Sequence, residues 1–349
     1  PTHKPLTDHL IVVMDESVSG HWLGVNGAVP DTTPWLSSEP PGVFNYGVVS
    51  AISNLSSTSN LLMQAGLRAD QLPDRALRSL RGPNVFAYLA AAGFRTAFID
   101  AQSYSLRPAN FMTPFDVDAL DEYWQLRQLE PDRAEHEVDR ASLDWLEKHV
   151  TSAPRSFTWL LKNGAHLPYG DKSPPNREEP FAETDSTVLR DYLAVVEWSA
   201  DDFLEILAQR LDATGKEALV VYTSDHGQSL DEPDAEPDRA VSPHATEVDP
   251  PSAQASVPLI LLAFGEETRA AVRERFSPEL RDRVSAFEIF PTLLEAAGYA
   301  RADLSAFSPS LFETESPRGE RFFVSGNVFA REGGFYVLNP LMGSACHLN

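Results

Sequence analysis

Along this chain, short runs of buried-type residues end abruptly in residues that carry chemistry. Leu10-Ile-Val-Val-Met14 stops at Asp15-Glu16-Ser17, and Ser156-Phe-Thr-Trp-Leu-Leu161 leads into Lys162-Asn-Gly-Ala-His166. The run Ala218 to Tyr222 gives way to Thr223-Ser-Asp225-His226-Gly227, where the glycine lets the backbone turn sharply. Uninterrupted apolar runs of this kind predict strands buried on both faces. Val48–Ile52, Thr96–Asp100 and Val257–Phe264 add further strands, with Pro258 suited to a strand start. Between them the spacing predicts helices over Val85–Ala92 (closed by Gly93), Glu135–His149, Thr187–Leu211 and Phe287–Ala297 (closed by Gly298). Arg321–Ser325 and Gly334–Leu338 read as a terminal antiparallel pair, and residues 103–133 as an irregular cover with several prolines and aromatics. Strands alternating with helices over residues 1–349 predict one α/β domain. In such sheets ligands bind beyond the carboxyl ends of the strands.

Composition narrows the class. A formal charge of −23 over 349 residues excludes a general nucleic-acid partner, whose phosphates would be repelled. It equally disfavours docking on an anionic membrane through a basic patch. The single cysteine, Cys346, permits no intrachain disulfide. No apolar run approaches the ~18 residues of a membrane span. The chain starts at Pro1 and reads as a soluble piece of something longer.

The strand ends deliver the candidate chemistry. Asp225-His226 pairs a carboxylate with an imidazole, ligands that suit Zn²⁺ or Mn²⁺, and either Asp15 or Glu16 can join them. Ser53, Ser56, Ser57, Thr58 and Ser59 precede the helix-forming Leu61-Leu62-Met63. Hydroxyls there are N-cap signals. One of them beside a metal, at a helix N-terminus that favours anions, can lose its proton and attack phosphorus. His166 and His244 lie in loops that follow. No phosphate-binding Gly-rich loop, Gly-x-Ser-x-Gly elbow or His-Glu-x-x-His helix is present. His3, His9, His136, His149 and His347 lie in termini or on charged helix faces and read as solvated.

These motifs resemble the alkaline phosphatase superfamily, and within it the sulfatase-like branch of phosphoethanolamine and phosphoglycerol transferases. Val12-Val-Met-Asp-Glu16-Ser17 resembles that branch's first strand with its metal-binding Glu. Asn26-Gly27 with Thr32-Thr33-Pro34 resembles its Asn-Gly-Tyr…Thr-Thr-Pro stretch, although Ala28 replaces the Tyr. Asn163-Gly-Ala-His166-Leu-Pro-Tyr169 resembles its Gly-x-His-x-Pro segment. Tyr222-Thr-Ser-Asp225-His226-Gly227-Gln-Ser-Leu230 resembles its most specific motif. His244 with Val257-Pro258, and Phe290–Gly298, resemble its downstream elements.

The resemblance implies an alkaline-phosphatase-like fold, a mixed, mostly parallel central sheet with helices on both faces. It implies a divalent cation, Zn²⁺ ahead of Mn²⁺, held by Glu16, Thr58, Asp225 and His226. Thr58 is then the nucleophile, with His166 and His244 acting on phosphate oxygens or protons. The implied reaction moves a phosphoethanolamine-like group from a phospholipid donor to a lipid or glycan hydroxyl. It would take place outside the cytoplasm, at the periplasmic face of the inner membrane or the cell surface, with an anchor beyond this piece. A hydrolase taking water as acceptor, or a metal-binding domain without catalysis, are the alternatives. A formylglycine sulfatase fits poorly, because Ser173-Pro-Pro-Asn-Arg177 falls in an exposed loop rather than at a helix start. The branch commonly carries several disulfides, which this chain cannot form.

Overall fold

The computed structural model describes residues 1–105, 107–108, 110–175, 181, 184, 186–230, 245–246, 250–316, 318, 320–329 and 334–337. His244, the acidic stretch 231–238, Cys346 and His347 lie outside the described residues.

Seven strands form the central sheet: β1 (His9–Asp15), β2 (Val43–Ser50), β3 (Arg95–Asp100), β4 (Glu122–Gln125), β5 (Ser156–Leu161), β6 (Ala218–Ser224) and β7 (Ser256–Phe264). Their order is β2-β7-β6-β1-β5-β3-β4. β1 lies at the centre, parallel to β5 and β6, with Met14 opposite Leu161 and Thr223. β3 and β4 extend the parallel set. β7 alone runs against its neighbours β6 and β2. The sheet is therefore mixed and mostly parallel, as expected. A separate antiparallel pair joins β8 (Phe322–Ser325) to β9 (Gly334–Val337).

Alternation along the strands splits the core in two. Leu10, Val12 and Met14 of β1 join Phe157, Trp159, Leu219 and Val221 on one face. Ile11 and Val13 join Leu160, Val220 and Tyr222 on the other. Both faces are dry, so every central strand is apolar at successive positions. The helices Ser56–Ala65, Val85–Ala91 and Ile289–Ala296 pack against the first face. Glu135–Ser152, Thr187–Val196 and Asp202–Thr214 cover the second.

Three expectations change. The long helix predicted over Thr187–Leu211 is broken by a π-helical turn, Glu197–Asp201, which delivers the Ser199 carbonyl to a buried lysine. The strand predicted at Val48–Ile52 is β2, which starts at Val43 and ends at Ser50 with a register shift between Asn45 and Val48. The cover at 103–133 contains β4, a short polar edge strand whose hydrophobic pattern is too weak to stand out. Among the described residues, no helix is long and apolar enough to cross a membrane.

Candidate metal and nucleophile site

β1 and β6 are adjacent and parallel, so their carboxyl ends place Glu16 and Asp225-His226 side by side. Ligand atoms of Glu16, Asp225 and His226 all lie within 4.8 Å of one another, and all three residues are buried. Asp225 Oδ1 accepts from the backbone N–H of Ser17 at 3.1 Å and of His226 at 2.7 Å. Its Oδ2 is buried with no hydrogen-bond partner. A buried carboxylate oxygen left unsatisfied is costly, and a cation is the group this donor set fits. His226 Nδ1 lies 2.8 Å from the Gly227 carbonyl, which can only accept, so Nδ1 carries a proton. Nε2 faces the carboxylates, 3.3 Å from Glu16 Oε1. In the neutral ring that nitrogen offers its lone pair, the arrangement in which a backbone carbonyl fixes the tautomer of a metal-binding histidine.

The loops around the cluster leave no room for side chains at two glycines. A Cβ on Gly227 would come 2.2 Å from the Ala253 carbonyl oxygen and 2.7 Å from that of Ser256. Close approach, not a left-handed turn, thus demands glycine there. Gly164 combines both constraints, with φ +46° and a Cβ that would lie 2.2 Å from Asp15 Oδ1. Ala165 N–H then donates to the Glu16 carbonyl at 2.9 Å, which fastens the His166 loop to the end of β1.

The helix Ser56–Ala65 begins at this edge. Ser56, its first residue, is half-buried. Its hydroxyl lies 3.1 Å from His226 Nε2 and 3.3 Å from Glu16 Oε1. Thr58 is 4% exposed and has no hydrogen bond to the cluster. Two residues of α-helix turn a side chain by about 200°, so Ser56 and Thr58 point to opposite sides. The structure brings Ser56 to Glu16 and His226 and does not bring Thr58 there. Ser59 holds the preceding turn, donating to the Ser53 carbonyl at 2.9 Å and accepting from the Ser53 N–H at 3.0 Å. The first N–H groups of this helix lack helical acceptors and favour an anion.

The match to known proteins now has a geometry to explain. The Sulfatase family model aligns with residues 8–299. The chain belongs to the Sulfatase family. Solved structures show the same alkaline-phosphatase-type fold. The C-terminal periplasmic domain of EcEptC from Escherichia coli, in complex with Zn, matches with TM-score 0.74 and 19% identity, over 95% of this chain and 92% of that one. The soluble domain of lipooligosaccharide phosphoethanolamine transferase A from Neisseria meningitidis matches with TM-score 0.67 and 16% identity, over 85% and 88%. The lipoteichoic acid synthase LtaP from Listeria monocytogenes matches with TM-score 0.59 and 15% identity, over 93% and 78%. Comparison with curated proteins gives no match.

Electrostatics in this sulfatase-family site follow from crowding charges in a dry place. Burial pushes the Asp225 carboxyl up to about 8, and the Glu16 carboxylate pushes the same way. Burial also acts to raise Glu16, but hydrogen bonding and charge from His226 outweigh it and hold Glu16 below the usual carboxylate range. His166, although exposed, lies close enough for its charge to add to that effect. For His226, burial disfavours the cation, yet the Asp225 and Glu16 carboxylates raise it to about 9. Without a metal the cluster therefore holds protons that a cation would replace.

Several residues that sequence reasoning missed stand behind this cluster. Gln102 Nε2 donates to Glu16 Oε2 and to the Lys162 carbonyl, both at 2.8 Å. Ser17 Oγ donates to Glu16 Oε1 at 2.7 Å. Lys162 is wholly buried with Nζ 2.6 Å from Asp15 Oδ2. Lys172 is 6% exposed and donates to the Asn163 carbonyl at 3.1 Å. His9 and His149, expected in solvent, are buried: His9 pairs with Ser156 Oγ at 2.8 Å and His149 with Glu122 at 3.1 Å.

Proposed function

We propose that this chain is a metal-dependent transferase that moves a phosphoethanolamine-like head group from a phospholipid to an acceptor hydroxyl, with Ser56 as the nucleophile. The observation that carries the reading is the Ser56 hydroxyl, 3.1 Å from His226 Nε2 and 3.3 Å from Glu16 Oε1 at a helix N-terminus. Glu16, Asp225 and His226 would hold the cation, with Zn²⁺ ahead of Mn²⁺. A divalent cation there supplies the positive field that favours an alkoxide over a hydroxyl and offsets phosphate charge.

The remaining steps belong to the chain's own residues. Ser56 Oγ forms a bond to phosphorus as the bond from phosphorus to the diacylglycerol oxygen breaks. That oxygen leaves as an alcohol after taking a proton. The helix N–H groups face the phosphoryl oxygens. An acceptor hydroxyl then displaces Ser56 and regenerates it. His166, at the exposed mouth of the site, and His244 are assigned to proton transfer and to the phosphoryl oxygens. The similarity to periplasmic transferase domains supports a place outside the cytoplasm and an anchor beyond this piece.

Intact mass and peptide mapping after incubation with phosphatidylethanolamine vesicles and Zn²⁺ test this reading. A phosphoethanolamine-sized adduct on Ser56, absent in Ser56→Ala, is the expected result. An adduct on Thr58 would move the nucleophile two residues further along the helix. Release of phosphoethanolamine into water without any acceptor would make the chain a hydrolase. Bound metal with neither adduct nor turnover would make it a non-catalytic domain.

A further inference from the structure

A cavity of about 680 Å³ lies between the segment following the Ser56–Ala65 helix, the turn before Ile289, the Phe307–Pro309 loop and the start of β8. None of Glu16, Ser56, Asp225 or His226 lines it. Its volume suits a small amphipathic molecule. Leu72, Phe287, Phe307 and Phe322 make its walls apolar.

Four arginines also reach this cavity, and they are not equivalent. Arg68 is ion-paired with Asp70. Arg318 is paired with Glu288 at 2.9 Å and donates further to the carbonyls of Ser310, Glu313 and Ser316. Arg321 is different. It is only 9% exposed, yet among the described residues its guanidinium makes one hydrogen bond, from Nη1 to the Val48 carbonyl at 2.8 Å, and no ion pair. A guanidinium has five donors, and those of Arg321 that do not reach Val48 stay open to solvent, available to an anion. Arg283, exposed at the rim, has no side-chain hydrogen bond or ion pair among the described residues. With Arg68 and Arg318 neutralised, the lining keeps Arg283 and Arg321 against Glu320, and Asp282, which does not line the cavity, lies near enough for its charge to act on Arg321; the lining itself keeps a positive excess of one beside an apolar wall.

We propose that this cavity binds an amphipathic anion, a single carboxylate or phosphate group on a hydrocarbon tail, with the head on Arg321 and Arg283 and the tail against Phe287, Phe307 and Leu72. The proposal uses no residue of the metal cluster and stands apart from the assignment of its reaction. The head takes the place of water on the Arg321 donors that Val48 leaves open. The tail covers aromatic surface that would otherwise face solvent.

The test is calorimetric titration with decanoate, decyl phosphate, decanol and inorganic phosphate, each below micelle-forming concentration. Decanoate and decyl phosphate are expected to bind at least about tenfold more tightly than decanol or inorganic phosphate. Arg321→Gln should weaken decanoate by about 10- to 100-fold, the range for a hydrogen bond to a charged group. Arg283→Gln, at the exposed rim where folding is not at stake, should weaken it about threefold to tenfold. Ser56→Ala and chelator treatment should leave decanoate binding unchanged. Decanol binding as tightly as decanoate would make the cavity merely apolar and overturn the proposal. Equal decanoate affinity in both arginine variants, loss of binding on chelation, or no binding by any probe would overturn it as well.

Discussion

Asp15 and Glu16 are adjacent carboxylates at the end of one strand, and they face opposite surroundings. Asp15 Oδ2 lies 2.6 Å from Lys162 Nζ and accepts from the Tyr222 hydroxyl at 3.0 Å. Lys162 in turn donates to the Ser199 carbonyl in the π-turn and to Ser199 Oγ at 2.9 Å. Phe203 lies under the ammonium, 4.4 Å from the ring centroid. Burial pushes the Asp15 carboxyl up, against the pull of Lys162. That network is closed within protein. One residue on, Glu16 faces His226, Ser17, Gln102 and the half-buried Ser56. Beside it Asp225 keeps a buried oxygen with no partner. A closed carboxylate–ammonium pair suits structure, whereas an incomplete cluster open to a hydroxyl suits chemistry. Alternation along β1 sends two like residues to these two places.

The largest expected effect separates the open cluster from everything around it. Ser56→Ala should lower phosphodiester turnover by at least about 10³-fold if, as proposed, it deletes the attacking atom rather than a supporting contact. Thr58→Ala, two residues further along the helix and facing away, should stay within about tenfold of the parent chain. Turnover assays under saturating Zn²⁺, with metal content measured in parallel, decide between them. Comparable losses in both variants would mean that the helix N-terminus, not one hydroxyl, carries the rate.

Lys162→Met probes the closed network. It leaves Asp15 buried without its cation, and breaking such a pair costs about 3–5 kcal/mol. The denaturation midpoint should fall accordingly, and Asp15→Asn in the same chain should recover part of the loss, since a neutral amide no longer needs the ammonium. A lysine variant with unchanged stability but abolished metal binding would place Lys162 in the chemistry instead.

The sequence made much of this visible and left a specific part hidden. β1, β5, β6 and β7 stand out because strands buried on both faces are apolar at successive positions, and Asp225-His226 stands out because it interrupts such a run. The choice between Asp15 and Glu16 is not written locally. It depends on where Lys162 and Tyr222 sit across β5 and β6. Ser56 was obscured by its own neighbours: five hydroxyls within seven positions give no clue to which faces the cluster until the helix start is fixed. The family resemblance pointed to Thr58, but the helix begins at Ser56, and its phase turns Thr58 away from the side that Ser56 presents. His149 looked like a solvent-facing residue because it finds its partner, Glu122, far away in sequence.

Proton linkage sharpens the contrast by a smaller amount. In the metal-free cluster the Asp225 carboxyl is pushed up to about 8 by burial and Glu16, and the His226 imidazole is raised, against burial, to about 9 by the two carboxylates. Below about pH 8, binding a cation must displace about two protons; between 8 and 9, about one; above 9, none. Apparent metal affinity should therefore rise with pH and level off above about 9. Calorimetry in buffers of different ionisation enthalpy counts the protons released. A pH-independent affinity would mean that the cation does not sit on these side chains.

Gln102→Leu makes the finest cut, since its amide touches both regions, donating to Glu16 Oε2 and to the Lys162 carbonyl. If the amide serves chiefly to aim Glu16, its loss should weaken Zn²⁺ binding by about tenfold, as removing a hydrogen-bond partner of a metal ligand does. Stability should then fall by about 1 kcal/mol, the scale of a single net hydrogen bond. If it serves the closed network instead, the denaturation midpoint should drop towards that of Lys162→Met while metal affinity holds. Gln102→Glu adds a like charge at the same place. It should depress metal-free stability above about pH 5, where both carboxylates must ionise together, and recover it when Zn²⁺ is added. A metal-reversible loss ties Gln102 to the open cluster, and a loss that Zn²⁺ leaves untouched ties it to the closed one.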